Sequence, residues 1–258
     1  MSRLRAKCPE CRAYTAVALG PEYECHACGK TFGAGLVRVP RAWGTGGEAM
    51  AEAAHLPLPY PEAAVVAESS LAEQSLALAL ELPERALVLG GCCCAHIGAV
   101  EALAARHDRI AVIWLDAHGD LNTIESSPSG NEWATPLRLL IDSGAVDAQD
   151  VALVGARNLD PPEEELIAAR GIGLGAAAVE EALAGAVGAY VAIDFDSLSA
   201  DEVAPFMPEP GGLSVAEAED VLGSVRNATP VLGVGLTAML PDERNLAPAA
   251  RLTAALGL

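Results

Sequence analysis

The chain has 258 residues, enough for one large α/β domain plus a small appendage, and a formal net charge of −19. That charge excludes the basic surface needed for nonspecific binding to nucleic acid or anionic membrane, and no apolar run reaches the roughly 18 residues of a bilayer span. Hydrophobic residues make up 52% of the chain and aromatics only 4%, so the core must be aliphatic.

The charge is unevenly spread. Residues 1–35 carry Arg3, Arg5, Lys7, Arg12 and Lys30 against Glu10, Glu22 and Glu24, a net +2, which leaves −21 on the remainder. This shift places a boundary near residue 36, dividing the chain into an N-terminal module (1–35) and a main domain (36–258). The opening MSRLRAKCPEC lacks the apolar core of a secretory signal. The cysteines fall into two groups, Cys8, Cys11, Cys25, Cys28 and Cys92, Cys93, Cys94, which is not the pattern of an extracellular disulfide framework. Both features point to the cytoplasm and to metal chemistry in a reducing compartment.

In chain order, the first elements belong to the module. Cys8-Pro-Glu-Cys11 and Cys25-His-Ala-Cys28 are two C-x2-C knuckles, each turning two thiolates toward one point, and together they suit a tetrahedral structural Zn2+. Short strands are expected at 14–17 and 22–24, giving a zinc ribbon. So small a unit buries too little apolar surface alone, and the metal contributes much of its folding energy. A net charge of only +2 favours a metal-stapled cap on the main domain over a nucleic-acid contact. A docking surface for a protein partner is the other reading.

In the main domain, five apolar runs without alternation read as strands buried on both faces: Ala86–Leu89, Ile110–Leu115, Val151–Val154, Tyr190–Phe195 and Val231–Leu236. Leu36–Val39 and Ala63–Val66 are weaker candidates. Helices are expected after Ser70-Leu-Ala-Glu73, Asp160-Pro-Pro-Glu163 and Ser214-Val-Ala-Glu217, each with N-terminal capping signals. Alternating strands and helices predict a three-layer αβα domain with a mostly parallel sheet and right-handed crossovers. In such a sheet a ligand binds beyond the carboxyl ends of the strands.

The unusual polar residues fall there. Ile110–Leu115 runs into Asp116-Ala-His118-Gly-Asp120, and the run through Ile193 ends in Asp194-Phe-Asp196. Alternate residues of an extended chain share a face, so Asp116, His118 and Asp120 can converge, as can Asp194 and Asp196. Four carboxylates brought together would repel one another strongly without cations between them. His107, Asp108 and the acids at 163–165 read as a solvated loop and helix face.

These segments resemble the arginase/agmatinase (ureohydrolase) family. Asp116-Ala-His118-Gly-Asp120-Leu-Asn122-Thr is similar to its D-A-H-x-D-x-N-T signature, and Asp194-Phe-Asp196-Ser-Leu to its D-x-D strand, although Ser199-Ala200 stands where D-P is usual. Val154-Gly-Ala-Arg157-Asn158-Leu-Asp160-Pro and Gly211-Gly-Leu-Ser214 resemble two further segments. The resemblance implies two divalent metal ions bridged by Asp116 and Asp194. His118 and Asp196 would complete one ion, and Asp120 with a residue after Gly90-Gly91 the other. Oxygen-rich ligands favour manganese. The implied reaction is attack on a linear C–N bond by a metal-bridging hydroxide, and the implied state is a homo-oligomer.

Three departures from that family matter. Gly90-Gly91-Cys92-Cys93-Cys94 places Cys93 at a ligand histidine's position, which tilts that site toward zinc or iron. Trp133 follows Ser129-Gly-Asn131 where a proton-transferring histidine is usual. The final strand has no acid where arginases hold a glutamate against the guanidinium, so plain arginase activity is not expected. Asn122, Ser129, Asn131 and Asp160, with Trp133, match positions that hold a small amino-acid-like substrate. Asn122 and Asp160 equally suit loop structuring and helix capping. Two functions stay open on sequence: a dinuclear hydrolase of guanidino, amidino or N-acyl groups, or a catalytically inactive metal-binding scaffold whose ribbon docks a partner.

Overall fold

The structure is a computed structural model, and it describes residues 5–258. The N-terminal strands are β1 (Ala16–Leu19), β2 (Glu22–Cys25) and β3 (Thr31–Phe32). They form an antiparallel sheet in the order β1-β2-β3, and β1 begins two residues later than the sequence suggests. The main domain continues through β4 (Gly35–Val39), α1 (Glu48–Ala53), β5 (Glu62–Val65), α2 (Leu71–Glu81), β6 (Ala86–Gly90), α3 (Ala95–Arg106) and β7 (Ile110–Leu115). Next come α4 (Pro136–Asp142), β8 (Val151–Val154), α5 (Pro161–Arg170), β9 (Gly173–Leu174), α6 (Val179–Leu183), β10 (Gly188–Asp194), α7 (Val215–Ala228), β11 (Val231–Thr237) and α8 (Leu246–Ala255).

The eight main strands stand in the order β5-β4-β6-β11-β10-β7-β8-β9, and every pairing is parallel. The seven expected strands are all present, with ends shifted by at most two residues. The two-residue β9 is too short to leave a hydrophobic pattern. Side-chain alternation splits each central strand between two cores. Val88 and Val112 pack with Leu78 of α2, Val100 of α3 and Leu137 of α4. Leu87, Leu89 and Ile113 pack with Leu222 of α7 and Leu252 of α8. The result is the αβα arrangement, with apolar helix faces covering both sides of a sheet that has no polar face. No helix of the described chain is long and apolar enough to cross a membrane.

The expected caps form: the Ser70 hydroxyl accepts from the Glu73 amide, and Ser214 with Glu217 closes a reciprocal capping box. The N-terminal unit does not hang free. Lys7 and Glu62 exchange two backbone hydrogen bonds of 2.9 Å each, extending the main sheet past its edge strand β5. Ala63 of β5 joins Cys8, Ala16, Tyr23 and Cys25 in one small core. An edge strand with unpaired amides invites association, and here the cysteine-rich unit covers it.

Gly35 makes this junction possible, because a Cβ there would lie 2.7 Å from the Tyr23 ring. Gly35→Ala is expected to lower unfolding stability by about 1–3 kcal/mol through overpacking. Thermal unfolding of the variant, and of the same change with Tyr23→Leu to relieve the clash, measures this; equal losses in both backgrounds would contradict it.

Candidate metal centre

Register brings the chemical residues together. Asp194 pairs with Thr237, and Ile193 with Leu115, so β11, β10 and β7 end side by side. Leu236 pairs with Leu89, which sets the Gly90–Cys94 turn beside them. Beyond these ends lies a cleft of about 240 Å³, lined by Cys93, Asp116, His118, Asp120, Asp194 and Asp196 among others.

Two donor groups share one residue. Ligand atoms of Cys93, Asp116 and Asp120 lie within 4.8 Å of one another, and so do those of Asp116, His118 and Asp196. Asp194 bridges the sets: its Oδ2 is 2.9 Å from the Cys93 sulfur, and its Oδ1 accepts from the Asp196 amide at 2.8 Å. His118 Nδ1 lies 3.1 Å from Asp196 Oδ2 and 3.5 Å from Asp116 Oδ1. Strand alternation is only part of how this is achieved. Asp120 reaches the cluster from a left-handed backbone, φ +52°, which few non-glycine residues adopt. Asp116 is aimed by the Trp114 indole N–H (3.1 Å) and the His118 amide (2.7 Å). Asp196 accepts from the Ala117 amide at 3.0 Å.

The electrostatics are those of a cation site. Burial, then the charge of Asp196, pushes Asp116 up to about 6. Burial, then neighbouring carboxylates, holds Asp120 and Asp194 well above the usual carboxylate range. Burial works against a charged His118, but bonds to Asp116 and Asp196 outweigh it and raise the imidazole to about 12. Asp120 Oδ2 is buried without a hydrogen-bond partner among the described residues. A buried, unpaired carboxylate oxygen beside further acids and a thiol fits divalent ions. The four N-terminal cysteines fit one as well: Cys8–Cys28 and Cys11–Cys25 sulfurs are 3.8 and 3.6 Å apart. A tetrahedron of about 2.3 Å zinc–sulfur bonds has edges of about 3.8 Å.

Cys92 and Cys94 do not join the donor group that contains Cys93. Cys92 Sγ accepts from the Trp43 amide at 3.4 Å, and Cys94 is fully buried. The separation arises from a helical turn rather than strand alternation, since the Ala95 and His96 amides already bond back to Cys92 and Cys93.

The head-group candidates line the same cleft but are engaged with one another. Asn122 Nδ2 donates to Asp160 Oδ2 at 2.9 Å, while the Ser126 hydroxyl donates to Asn122 Oδ1. Asn131 Oδ1 accepts from the Thr45 amide, tying down the 40–47 loop, and Ser129 accepts from the Asn131 amide. Trp133 is buried edge-on to Phe206, ring centres 6.1 Å apart. One expectation is corrected: Glu163 is not on a solvated helix face. It is 2% exposed and accepts from the Leu121 and Asp160 amides, because α5 turns its first turn inward against the Asp120 loop. Sequence reasoning also missed Glu209, 3.7 Å from His118 Nε2, and Arg157, whose guanidinium binds the Gly155, Asp196, Glu209 and Pro210 carbonyls. Arg157 stood in a segment quoted for its resemblance, but no local pattern marks an arginine that will bind distant carbonyls.

The model of the arginase family matches residues 45–257. This chain belongs to the arginase family. It is 32% identical over 189 residues to the arginase of Bacillus caldovelox, covering 62% of this chain and 63% of that one. The chain thus spans less than two thirds of the curated arginases it matches first. Among solved structures, the arginase of Bacillus subtilis superposes with a TM-score of 0.75 at 22% identity, covering 86% of this chain and 97% of that chain. The proclavaminate amidino hydrolase of Streptomyces clavuligerus does so with a TM-score of 0.69 at 22% identity, covering 86% and 89%. These likenesses are of fold; the arginase-family assignment rests on the family model.

Metal loading of this cluster should release protons, because carboxyls and an imidazole protonated in the metal-free protein must ligate deprotonated. Affinity should therefore fall as pH drops through about 6, where Asp116 takes up its proton. Titration calorimetry in buffers of different ionisation enthalpy measures the released protons; binding without release, and independent of pH between 5 and 8, would contradict the cluster's assignment.

Proposed function

We propose that the chain is a dinuclear metal-dependent hydrolase of a linear C–N bond, of guanidino, amidino or N-acyl type, in a small amino-acid-like substrate. The observation that carries this reading is the pair of donor groups sharing Asp116, with Asp194 between them, facing an open cleft. Cys93, Asp116, Asp120 and Asp194 would hold one ion, and Asp116, His118, Asp194 and Asp196 the other. When bound, such ions make water nucleophilic at neutral pH and offset charge developing at the attacked carbon. The imidazole and carboxylates of the second site suit manganese, while the Cys93 thiolate draws zinc or iron to the first.

The chain's own residues restrict the substrate. Ala238 lines the cleft at the end of β11, with no carboxylate there to pair a guanidinium. Met50, Trp133, Phe206 and Met207 add apolar wall. An unpaired cation against such a wall is poorly stabilised, which disfavours free arginine and favours most an uncharged N-acyl group. Asn122, Ser129, Asn131 and Asp160 lie on the polar side of the cleft, where amino and carboxylate groups of a substrate would exchange for their mutual hydrogen bonds. A protein partner for the cysteine-rich unit has no comparable support, since that unit packs on β5 as a cap.

A panel of guanidino, amidino and N-acyl amino acids, offered to protein loaded with manganese, zinc or iron, tests the activity. Asp194→Asn is expected to release both ions together and to cut turnover by more than the about 100-fold that changes behind the ligands typically cost. Retention of either ion at full affinity would refute the bridging role. The N-terminal cluster is tested separately: Cys25→Ser leaves three thiolates, and is expected to lower zinc content by one equivalent and open residues 5–33 to protease. Unchanged zinc and protease resistance would reject a structural zinc there.

A further inference from the structure

Behind Cys93, away from the cleft, lies a row of polar groups in an otherwise aliphatic interior. The Tyr190 hydroxyl is 2.9 Å from His96 Nδ1, and His96 Nε2 is 3.1 Å from Thr237 Oγ1. Thr237 Oγ1 is 3.4 Å from the Cys93 sulfur. Tyr190, His96 and Thr237 are each 0% exposed. Buried polar groups are costly unless paired, so a row of three is retained against that cost.

The space for this row is built into β11. Gly233, Gly235 and Thr237 share one face of that strand, alternate residues pointing the same way. A Cβ at Gly235 would lie 2.3 Å from His96 Nδ1 and 2.4 Å from the Tyr190 oxygen. One at Gly233 would crowd the Tyr190 ring at 3.3 Å. The strand thus gives up side-chain packing at two buried positions to admit the tyrosine and histidine.

The row has a fixed polarity. Among the described residues the Tyr190 hydroxyl has His96 Nδ1 as its hydrogen-bond partner, so its proton must go there. A ring that accepts at Nδ1 carries its single N–H on the other nitrogen. With Nδ1 accepting, that N–H is on Nε2 and donates to Thr237 Oγ1. The Thr237 proton is then directed at the Cys93 sulfur.

We propose that Tyr190, His96 and Thr237 form a buried donor chain ending on the Cys93 sulfur, which orients that thiolate and tempers its electron donation as a metal ligand. This rests on the reading of Cys93 as a ligand. A hydrogen bond to a coordinating thiolate withdraws electron density from sulfur and fixes its lone-pair direction. The three are positioning residues, acting on the ion only through Cys93.

The test uses the full chain with zinc in its N-terminal cysteine cluster and cobalt(II) added as the probe of the cleft. Subtracting the spectrum of Cys93→Ser isolates the cysteine-to-cobalt charge-transfer band of Cys93. Thr237→Val, which keeps shape but removes the hydroxyl, is expected to move that band to longer wavelength and weaken cobalt binding about 10-fold. Thr237→Ser should restore both. Tyr190→Phe should shift the band in the same direction by less, and it decides the matter if Thr237→Val does not fold. A Cys93 band unmoved by either change overturns the donor chain while leaving Cys93 a ligand. Identical spectra for the native chain and Cys93→Ser remove the ligand itself, and this proposal with it.

Discussion

Mutual repulsion among Asp116, Asp120, Asp194 and Asp196 is the constraint on which the rest of this architecture depends. Two unit charges 4 Å apart repel by about 4 kcal/mol at the effective dielectric of a protein. Four such groups, each at most 5% exposed, cannot all be ionised in the absence of compensating charge. In the metal-free chain protons supply part of it, on the raised carboxyls and on His118. Divalent ions supply it better, because one ion answers several oxygens at once. The fold therefore holds incompatible groups together, and a bound cation would resolve the conflict.

Holding them requires a stiff support. The parallel sheet provides it, since β6, β11, β10 and β7 are neighbours, buried on both faces by aliphatic side chains. Turn residues at their carboxyl ends inherit that rigidity. The loops beyond are braced by polar contacts with no chemical task of their own: Arg157 binds four carbonyls across the cleft rim, and Asn131 pins the 40–47 loop. The N-terminal cysteine unit lies on β5, at the far edge of the sheet from β9 and outside the row of strands that carries the proposed ligands. Its visible task is to cover an edge.

The departures from the arginase pattern form a consistent set. Ala238 removes a charge from the cleft, and Trp133, packed on Phe206, makes the same region more apolar. Cys93, as a proposed ligand, would replace a nitrogen donor with a softer one. That replacement is matched behind the site by His96 and Thr237, with Gly235 vacating the space they occupy. A random loss of ligands would leave a cavity or an unpaired group behind Cys93, whereas the interior there is filled and hydrogen-bonded.

The sequence by itself determined the strands, because burial on both faces leaves continuous apolar runs such as Ile110–Leu115. It also determined the donor residues, because acids and a histidine set directly after such runs stand where a parallel sheet opens to its ligand. The sulfur knuckles were legible because the spacing of Cys8, Cys11, Cys25 and Cys28 is a local property of the chain. Only tertiary structure decided which groups face which. Glu163 looks solvent-facing along α5, and its burial depends on how that helix meets the Asp120 loop. The Tyr190–His96–Thr237 row joins three elements far apart in sequence; its local traces are His96, one turn past Cys93, and a pair of glycines in a buried strand, which marks a close approach without naming what approaches. Periodicity reports which face of an element is apolar; it carries no information about the partner that face will meet, and in this protein the partner sets the chemistry.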